Sequence, residues 1–309
     1  MIRVFILSFP RMATTDVYSR VKHSFKLRGL YEPFNPLSMI AANRYGYVVH
    51  GNRVILDGKT RTILRRIPTD FKLLPRNIRR FIVSNSIAWY MHWSLEPLPR
   101  EPYCGCWMKI LSYIDRLPQE WVVKDVLMWP LLIDAVQRFR NTLFIVMLRD
   151  FNYLARDILT TFSGEISVRE MEKLRVGLLD ITANLPISMH AVESYLLAKV
   201  PGCELTKVFK SPLTQYYHLL LYLKYFAYAW KEPYAAELAE SLGLFASSIS
   251  VRNVSVRVLY RVLSCVYGIY LKLVDELSSF DNVVVLRYKK YLPIRRYLGY
   301  IAKKLCAFL

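Results

Sequence analysis

Residues 45–66 read YGYVVHGNRVILDGKTRTILRR, and this stretch marks where the predicted secondary structure changes from strand to helix. Its β-branched residues alternate with polar ones around two turn pairs, Gly51-Asn52 and Asp57-Gly58, a pattern typical of two or three short strands joined by tight turns. Residues 1–9 predict a further strand. From Asp70 onward, apolar residues recur at helical spacing. The sequence therefore predicts a small β element near the N-terminus, followed by helices.

Helical periodicity accounts for most of the remaining chain, with proline and glycine residues between the segments. The predicted helices cover residues 71–93, 106–117, 122–162, 168–185, 188–200, 212–230, 233–242, 254–277 and 294–308. The predicted fold class is therefore mainly α: a multi-helix, bundle-like body with a small N-terminal β element, α+β overall.

A proline-rich break, EPLPREP at residues 96–102, interrupts the helical pattern. Its prolines cannot continue a helix and favour an extended chain. We therefore predict two domains. Residues 1–95 form a basic N-terminal region with a strand, a β-hairpin and a helix, and residues 103–309 form a helical domain that ends in a basic amphipathic helix.

Positive charge is concentrated at the two ends of the chain. The formal net charge is +19. Residues 1–100 carry 17 Lys and Arg against 5 Asp and Glu, residues 101–200 carry 11 against 12, and residues 201–309 carry 15 against 7. Charge on this scale favours an anionic partner, with nucleic acid the first candidate. The two basic flanks are expected either to fold onto one face or to make two separate contacts.

The last 23 residues, 287–309, read RYKKYLPIRRYLGYIAKKLCAFL and mix cations with tyrosines. Such a strip can neutralise phosphates and stack on bases. The alternative is an ordinary solvated helix whose long cationic side chains cover apolar surface. The residues predicted to contact nucleic acid here are Arg287, Lys289, Lys290, Tyr291, Arg295, Arg296, Tyr297, Lys303 and Lys304.

A second basic cluster lies in the N-terminal third. Arg76, Arg79 and Arg80 fall at i, i+3 and i+4, so a helix places all three on one face, where they can bind phosphate. Arg65 and Arg66, at the end of the hairpin, extend the same predicted patch. A solvated helix face is again the alternative.

Metal and catalytic motifs are weak in this sequence. Cys104-Gly105-Cys106 with His92 is the most metal-like group, but its cysteines are spaced by one residue and a fourth ligand is missing, so no metal is predicted. Asp57-Gly58-Lys59 has the acid-x-lysine spacing of PD-(D/E)xK nucleases, although a hairpin turn explains it equally. GxxxxGK[ST], GxGxxG, GxSxG and HExxH are absent from the sequence. No catalytic residue, cofactor or small-molecule substrate is therefore predicted.

Cysteine use and hydropathy bear on location. The five cysteines are an odd number at irregular spacing, which argues against a disulfide framework and favours a reducing, cytoplasmic location. The longest apolar stretches are interrupted by Lys224 and by Arg261 and Lys272, so they do not predict a membrane span.

Residues 248–277, SISVRNVSVRVLYRVLSCVYGIYLKLVDEL, carry a resemblance to a known family. Leu259-Tyr260, Lys272-Leu273 and Leu277 are similar to the helix that precedes the nuclease domain in McrC-like restriction components and related archaeal proteins. Arg261 stands where that family has an acid, and the family's tryptophan is absent. The resemblance implies a DNA-restriction accessory protein without its own cutting site. An archaeal CRISPR effector subunit is the competing relative.

These observations lead to one functional hypothesis and two alternatives. The hypothesis is a non-enzymatic nucleic-acid-binding protein, a subunit of an archaeal or prokaryotic defence or nucleic-acid-processing complex. Nucleic acid and other protein subunits are its expected partners, and no membrane partner is expected. The alternatives are a helical interaction scaffold that does not bind nucleic acid and a divergent metal-dependent nuclease.

Overall fold

The computed structural model describes residues 3–35, 38–39, 42, 45–56, 59–83, 100–159, 166–167, 212–245, 248–249, 253–288 and 294–308. In chain order its elements are β1 (Arg3–Leu7), α1 (Thr14–Ser24), β2 (Arg28–Tyr31), β3 (Tyr47–Leu56), β4 (Lys59–Pro68), α2 (Arg100–Asp115), β5 (Trp121–Asp125), α3 (Leu132–Arg138), β6 (Leu143–Arg149), α4 (Phe151–Leu159), β7 (Ile166–Ser167), α5 (Pro212–Tyr228), α6 (Pro233–Ser241), β8 (Leu244–Phe245), β9 (Ser248–Ile249), β10 (Asn253–Val254), α7 (Val256–Leu277), β11 (Val283–Tyr288) and α8 (Ile294–Phe308). Short 3₁₀ turns lie at Phe71–Leu73 and Trp129–Leu131, and residues 76–83 are helical.

A five-stranded parallel sheet with the order β11-β6-β1-β5-β2 forms the centre of the fold. In register, Phe5 of β1 lies beside Val123 of β5 on one side and Phe144 of β6 on the other. The central strands are apolar except at their ends, where Arg3 begins β1, Lys124 and Asp125 end β5 and Arg149 ends β6, and they are almost fully buried. This is the pattern of a parallel sheet covered on both faces.

The sheet corrects the predicted fold class. The protein is an α/β fold rather than a mainly-α, bundle-like body. The helix predicted over residues 122–162 is in fact β5, α3, β6 and α4 in succession. The prediction was wrong because strands buried on both faces have no polar alternation, and a short apolar run then cannot be told from part of a buried helix.

Several local predictions are confirmed. The N-terminal strand is β1, and the hairpin is β3 paired with β4. The turn predicted at Gly51-Asn52 is wrong, because β3 runs through both residues. Four of the predicted helices correspond to α5, α6, α7 and α8, with ends that agree to within two residues. The predicted division into two domains stays a prediction, although β1 and β2 pair with β5 and β6, which lie beyond the proline-rich break.

The order of the strands creates a switch point between β1 and β6. The chain leaves β1 toward the β2 side of the sheet, whereas the connections from β5 to β6 and from β6 to β11 run toward the opposite side. Because such crossovers are right-handed, the helix that follows β1 and the helix that follows β6 lie on opposite faces. Ligands of open α/β sheets bind beyond the carboxyl ends of the strands at this kind of crevice. We call this side the carboxyl edge, and the opposite side the amino edge.

Within the described part of the chain, none of the helices has the length and apolar character needed to cross a membrane.

Candidate functional site

The β1–α1 loop, residues 8–13, begins at the carboxyl end of the central strand. Ser8 and Phe9 are buried, and Ser8 Oγ accepts the Met147 N–H of β6 at 2.7 Å, which fixes the start of the loop. Arg11 and Ala13 have φ angles of 67° and 60°. Left-handed conformations cost L-residues roughly 1–2 kcal/mol each. In loops of this kind, successive N–H groups can converge to form a cradle for an anion.

Helix α1 begins directly after this loop without a side-chain cap. Ala13 is its N-cap residue and has no side-chain acceptor for the first turn. The Thr15 hydroxyl hydrogen-bonds the Tyr31 hydroxyl of β2 at 2.7 Å. By contrast, α6 and α7 begin at Glu232 and Ser255, whose side chains accept backbone N–H groups. Among the described residues, the N–H groups of Thr14 and Thr15 and the positive end of the dipole are therefore available to an anion. The Asp16 N–H donates to the Ala13 carbonyl at 3.1 Å, and the Asp16 carboxylate already lies in this turn.

The spacing from strand to helix matches a known phosphate cradle. In the pattern GxxxxGK[ST], a loop of this length joins a strand to a helix, and its backbone N–H groups hold phosphates. Counted from Ser8, residue Ala13 stands at the second glycine, Thr14 at the lysine and Thr15 at the hydroxyl residue. Ala13 also has the left-handed conformation that favours glycine. The loop therefore keeps the position and length of this cradle without its glycines or its lysine.

Arg149, the last residue of β6, supplies a cation beside the loop. Its Nη1 donates to the Arg11 carbonyl at 3.0 Å and pairs with the Asp157 carboxylate on α4. Its guanidinium lies 5.3 Å from the ring centroid of Tyr288 on β11. The Nε atom is buried and has no hydrogen-bond partner among the described residues. A buried donor left unpaired is costly. The Arg149 side chain is 15% exposed, so part of it is accessible beside the loop.

A second polar group lies at the carboxyl ends of β2 and β5. Lys124, almost fully buried, pairs with Glu32, and its Nζ lies 4.4 Å from the ring centroid of Tyr31. Glu32 has a φ of 51°, and its carboxylate also accepts the Ser38 hydroxyl at 3.1 Å. This group is internally hydrogen-bonded, so it anchors the loop that follows β2.

Asp125 is the most perturbed acid at this edge. Its carboxylate accepts the N–H groups of Leu127 at 2.7 Å and Phe34 at 3.2 Å. Burial and, to a lesser extent, the negative charge of Glu32 raise the pKa of Asp125 to about 7, against the lowering effect of these bonds and of Lys124. The carboxyl group therefore titrates near neutral pH.

Two of the predicted nucleic-acid-binding arginines lie at the carboxyl edge. Arg65 pairs with Asp16, in the first turn of α1, with 3.5 Å between Nη1 and Oδ1. Arg287 is exposed near the end of β11, and its carbonyl accepts the Tyr297 hydroxyl at 3.0 Å. The two basic flanks thus each bring an arginine to the same edge of the sheet.

Another predicted cluster lies elsewhere. Arg76 and Arg80 are exposed on helical residues 76–83, where Phe81 packs against Tyr113 at 5.1 Å between ring centroids. Tyr113 is near the end of α2, which is paired with the start of β1 through an ion pair. This cluster therefore lies at the amino edge, away from the β1–α1 loop.

The remaining predicted residues are scattered or lie outside the described part. Arg66 is exposed, 5.0 Å from the ring centroid of Tyr47, and Arg79 is half-buried. Lys303 is exposed, and Lys304 Nζ donates to the Asp281 carbonyl at 3.4 Å. The following lie outside the described residues: Lys289, Lys290, Tyr291, and the side chains of Arg295 and Arg296.

The sequence-based reading missed the loop and the residues around it. Ser8, Ala13, Glu32, Lys124, Asp125 and Arg149 were not singled out. The available signal was an apolar strand followed at once by a short loop and two threonines. It does not match GxxxxGK[ST], because the two glycines and the lysine are absent from residues 8–15.

The structure does not test the two motif candidates, the Cys-Gly-Cys group with His92 and the Asp-Gly-Lys turn. His92, Asp57, Gly58 and the side chains of Cys104 and Cys106 lie outside the described residues. Among the residues that the structure does describe, no three His, Cys, Asp or Glu side chains are grouped so as to hold a metal ion.

Comparison with known proteins gives this site no relative. No protein-family model matches the chain, and no curated protein matches it either. The resemblance of helix α7 to McrC-like proteins stays a prediction.

Proposed function

We propose that the protein binds a phosphorylated ligand at the β1–α1 loop, residues 8–13. The observation that carries this proposal is the uncapped N-terminus of α1, preceded by two left-handed residues at the carboxyl end of the central strand. Backbone N–H groups and the helix dipole together favour an anion at such a position. A phosphate monoester carries about −1.5 to −2 charges and three acceptor oxygens, so it matches several donors at once.

Two arginines support a phosphate in preference to a weaker anion. Arg149, 15% exposed, lies beside the loop, and Arg65 lies at the first turn of α1, where it pairs with Asp16. Guanidinium groups present planar, paired donors that suit phosphate oxygens. The net charge of +19 attracts anions over a longer range. The ligand class is an organic phosphate, with nucleotides and nucleic acids included.

Arg149 provides the first test, because changing its partner Asp157 should have the opposite effect on pyrophosphate affinity. Arg149→Gln should weaken binding of inorganic pyrophosphate about 10- to 100-fold, the usual loss for a hydrogen bond to a charged group. Asp157→Asn removes the carboxylate that competes for the guanidinium, so it should tighten binding a few-fold. Titration calorimetry measures both constants.

Arg138→Gln, an exposed arginine on α3, is the matched control and should leave affinity unchanged. Thermal melting shows whether each variant is folded. The proposal is wrong if the wild-type protein does not bind pyrophosphate, or if folded Arg149→Gln binds it as tightly as wild type does.

Nucleic-acid binding within a defence or processing complex remains the second candidate. The observation in its favour is that Arg76 and Arg80 are both exposed on one helix, with Arg65 and Arg66 exposed on the hairpin. A cytoplasmic location, suggested by the cysteine pattern, belongs to the same proposal. Oligonucleotide affinity that falls steeply with salt supports it, because each phosphate contact releases counterions. Salt-independent or absent binding leaves the interaction scaffold as the better reading.

A further inference from the structure

Aromatic side chains lead outward from Arg149 to the surface. The Tyr267 hydroxyl of α7 donates to the Arg149 carbonyl, and the Tyr267 ring stacks on Phe151 with 5.6 Å between centroids. Phe151 in turn meets Tyr260 edge-on at 5.4 Å. Tyr267 is buried, Phe151 is half-buried and Tyr260 is 45% exposed. A continuous series of rings therefore runs from the phosphate site into solvent.

The direction of α7 places the exposed end of this series beyond the carboxyl edge. The Tyr270 hydroxyl donates to the Met147 carbonyl at 2.6 Å, and Tyr267 reaches Arg149, two residues further along β6. Helix α7 therefore runs antiparallel to β6. Tyr260 lies two turns before Tyr267, about 10 Å along the helix axis. It stands on the side of the sheet where the β1–α1 loop opens.

Two arginines lie near the exposed ring. Arg257 and Arg261 are exposed and lie one turn apart on α7; Arg257 precedes Tyr260 by three residues, and Arg261 follows it directly. The nearby acid Asp150 is used locally, because its carboxylate accepts the N–H groups of Asn152 and Tyr153 and caps α4. An aromatic ring between two cations is the pattern that stacks a base and neutralises the phosphates beside it.

We infer that Phe151 and Tyr260, here called the stacking ledge, hold a base of a single-stranded nucleic acid whose terminal phosphate lies at the β1–α1 loop. This inference rests on the proposed phosphate site and deepens it. A terminal phosphate carries more charge than an internal phosphodiester, so the loop should favour it. Arg257 and Arg261 then contact phosphates further along the strand. The exposed ring accepts any base, so the ledge selects for a single strand rather than for a sequence.

The test uses a fluorescent oligonucleotide of about 12 nucleotides, a length within the range of single-strand binding sites. It carries a 5′-phosphate and a label at the 3′ end, and a second version lacks the phosphate. Tyr260→Ala should weaken binding about 5- to 100-fold, the usual loss of one base stack. Tyr260→Phe keeps the ring and should bind as wild type does. Removing the phosphate should weaken binding to wild type but not to Arg149→Gln.

Tyr153→Ala is the matched control. Tyr153 is 50% exposed on α4, two residues after Phe151, so it faces away from the ledge. It should leave oligonucleotide affinity unchanged. Pyrophosphate affinity should be unchanged in Tyr260→Ala, because the ledge does not touch the phosphate.

The outcomes separate the ledge from the loop. If wild type binds pyrophosphate but Tyr260→Ala binds the oligonucleotide normally, the stacking role of the ledge is wrong and the proposed phosphate site stands. If a mononucleotide such as AMP binds as tightly as the oligonucleotide, the ligand is a small nucleotide, and the inference of a single-stranded nucleic acid is wrong. If neither pyrophosphate nor oligonucleotide binds, both proposals fail together.

Discussion

The two edges of the parallel sheet are built differently. At the amino edge, charged groups pair with one another. Arg3 meets Asp115 at 3.1 Å, and Asp70 accepts both Lys22 Nζ at 2.6 Å and the Gly29 N–H at 2.7 Å. The left-handed residue there follows the end of α1, where that conformation is common.

At the carboxyl edge charged groups also pair, as Lys124 does with Glu32 and Arg149 with Asp157, but the backbone is strained and one acid is perturbed. Arg11, Ala13 and Glu32 are left-handed in loops, and Asp125 is buried with a pKa of about 7. Strain and perturbed pKa values of this kind cluster at functional sites. The amino edge stabilises the chain, whereas the carboxyl edge keeps features that a ligand can satisfy.

The largest expected effect is a pH dependence of the free energy of unfolding that comes from Asp125. Because burial raises its folded-state pKa from 3.8 to about 7, the folded protein holds this proton more tightly than the unfolded chain does. Its contribution to stability is therefore fully present below pH 4 and is lost as pH rises to 7. Three pH units correspond to at most about 4 kcal/mol.

Asp125→Asn should remove this dependence. Urea unfolding of wild type and variant from pH 4.5 to 7.5 gives the difference between their free energies of unfolding, in which the other carboxylates cancel. The wild type should lose stability relative to the variant as pH rises. Glu32, Lys124 and Tyr222 face Asp125 and are present in both proteins. Parallel curves would show that Asp125 does not titrate in this range.

A smaller effect is expected at the amino edge, and on stability alone. A Cβ on Gly29 would lie 2.2 Å from the Tyr18 hydroxyl and 2.8 Å from Lys22 Cδ. Gly29→Ala should cost about 1–3 kcal/mol of unfolding free energy, as overpacking does. Gly268→Ala, inside α7 with no atom within 4 Å of the new Cβ, is the control and should stabilise by about 0.5–1 kcal/mol.

Pyrophosphate affinity shows whether the amino edge is coupled to the site. Gly29 lies away from the β1–α1 loop, so the folded fraction of Gly29→Ala should bind as wild type does. Weaker binding by folded Gly29→Ala would mean that the amino edge is coupled to the site, and the contrast between the edges would fail.

The sequence could predict the elements of the fold that have one buried and one solvent-exposed face. Helices α7 and α8 and the hairpin of β3 and β4 alternate between apolar and polar residues, and their periods identify them. The central strands β5 and β6 have no solvent-exposed face, so their apolar residues show no regular spacing. Their pairing with β1 depends on contacts between residues more than a hundred positions apart.

The site could be predicted even less well. The proposed anion binding depends on the left-handed backbone of Arg11 and Ala13. A left-handed residue can be predicted from sequence where it is a glycine, and these two are not. The Arg149 contact to the Arg11 carbonyl joins residues 138 positions apart. The charge pattern did bring attention to Arg65 and Arg287, because a basic flank is visible in the sequence alone.

Ala13 provides the most direct test of the phosphate site. Asn and Asp are the non-glycine residues that best tolerate a φ of 60°, so Ala13→Asn and Ala13→Asp should both fold with a Tm at or slightly above that of wild type. They differ by one negative charge at the N-terminus of α1, where a ligand phosphate would otherwise lie. Both side chains can cap the first turn, but only Asp adds a charge. Pyrophosphate titration of the two variants by calorimetry should therefore give an affinity at least tenfold weaker for Ala13→Asp than for Ala13→Asn. Equal affinities in the two variants would contradict phosphate binding at this loop.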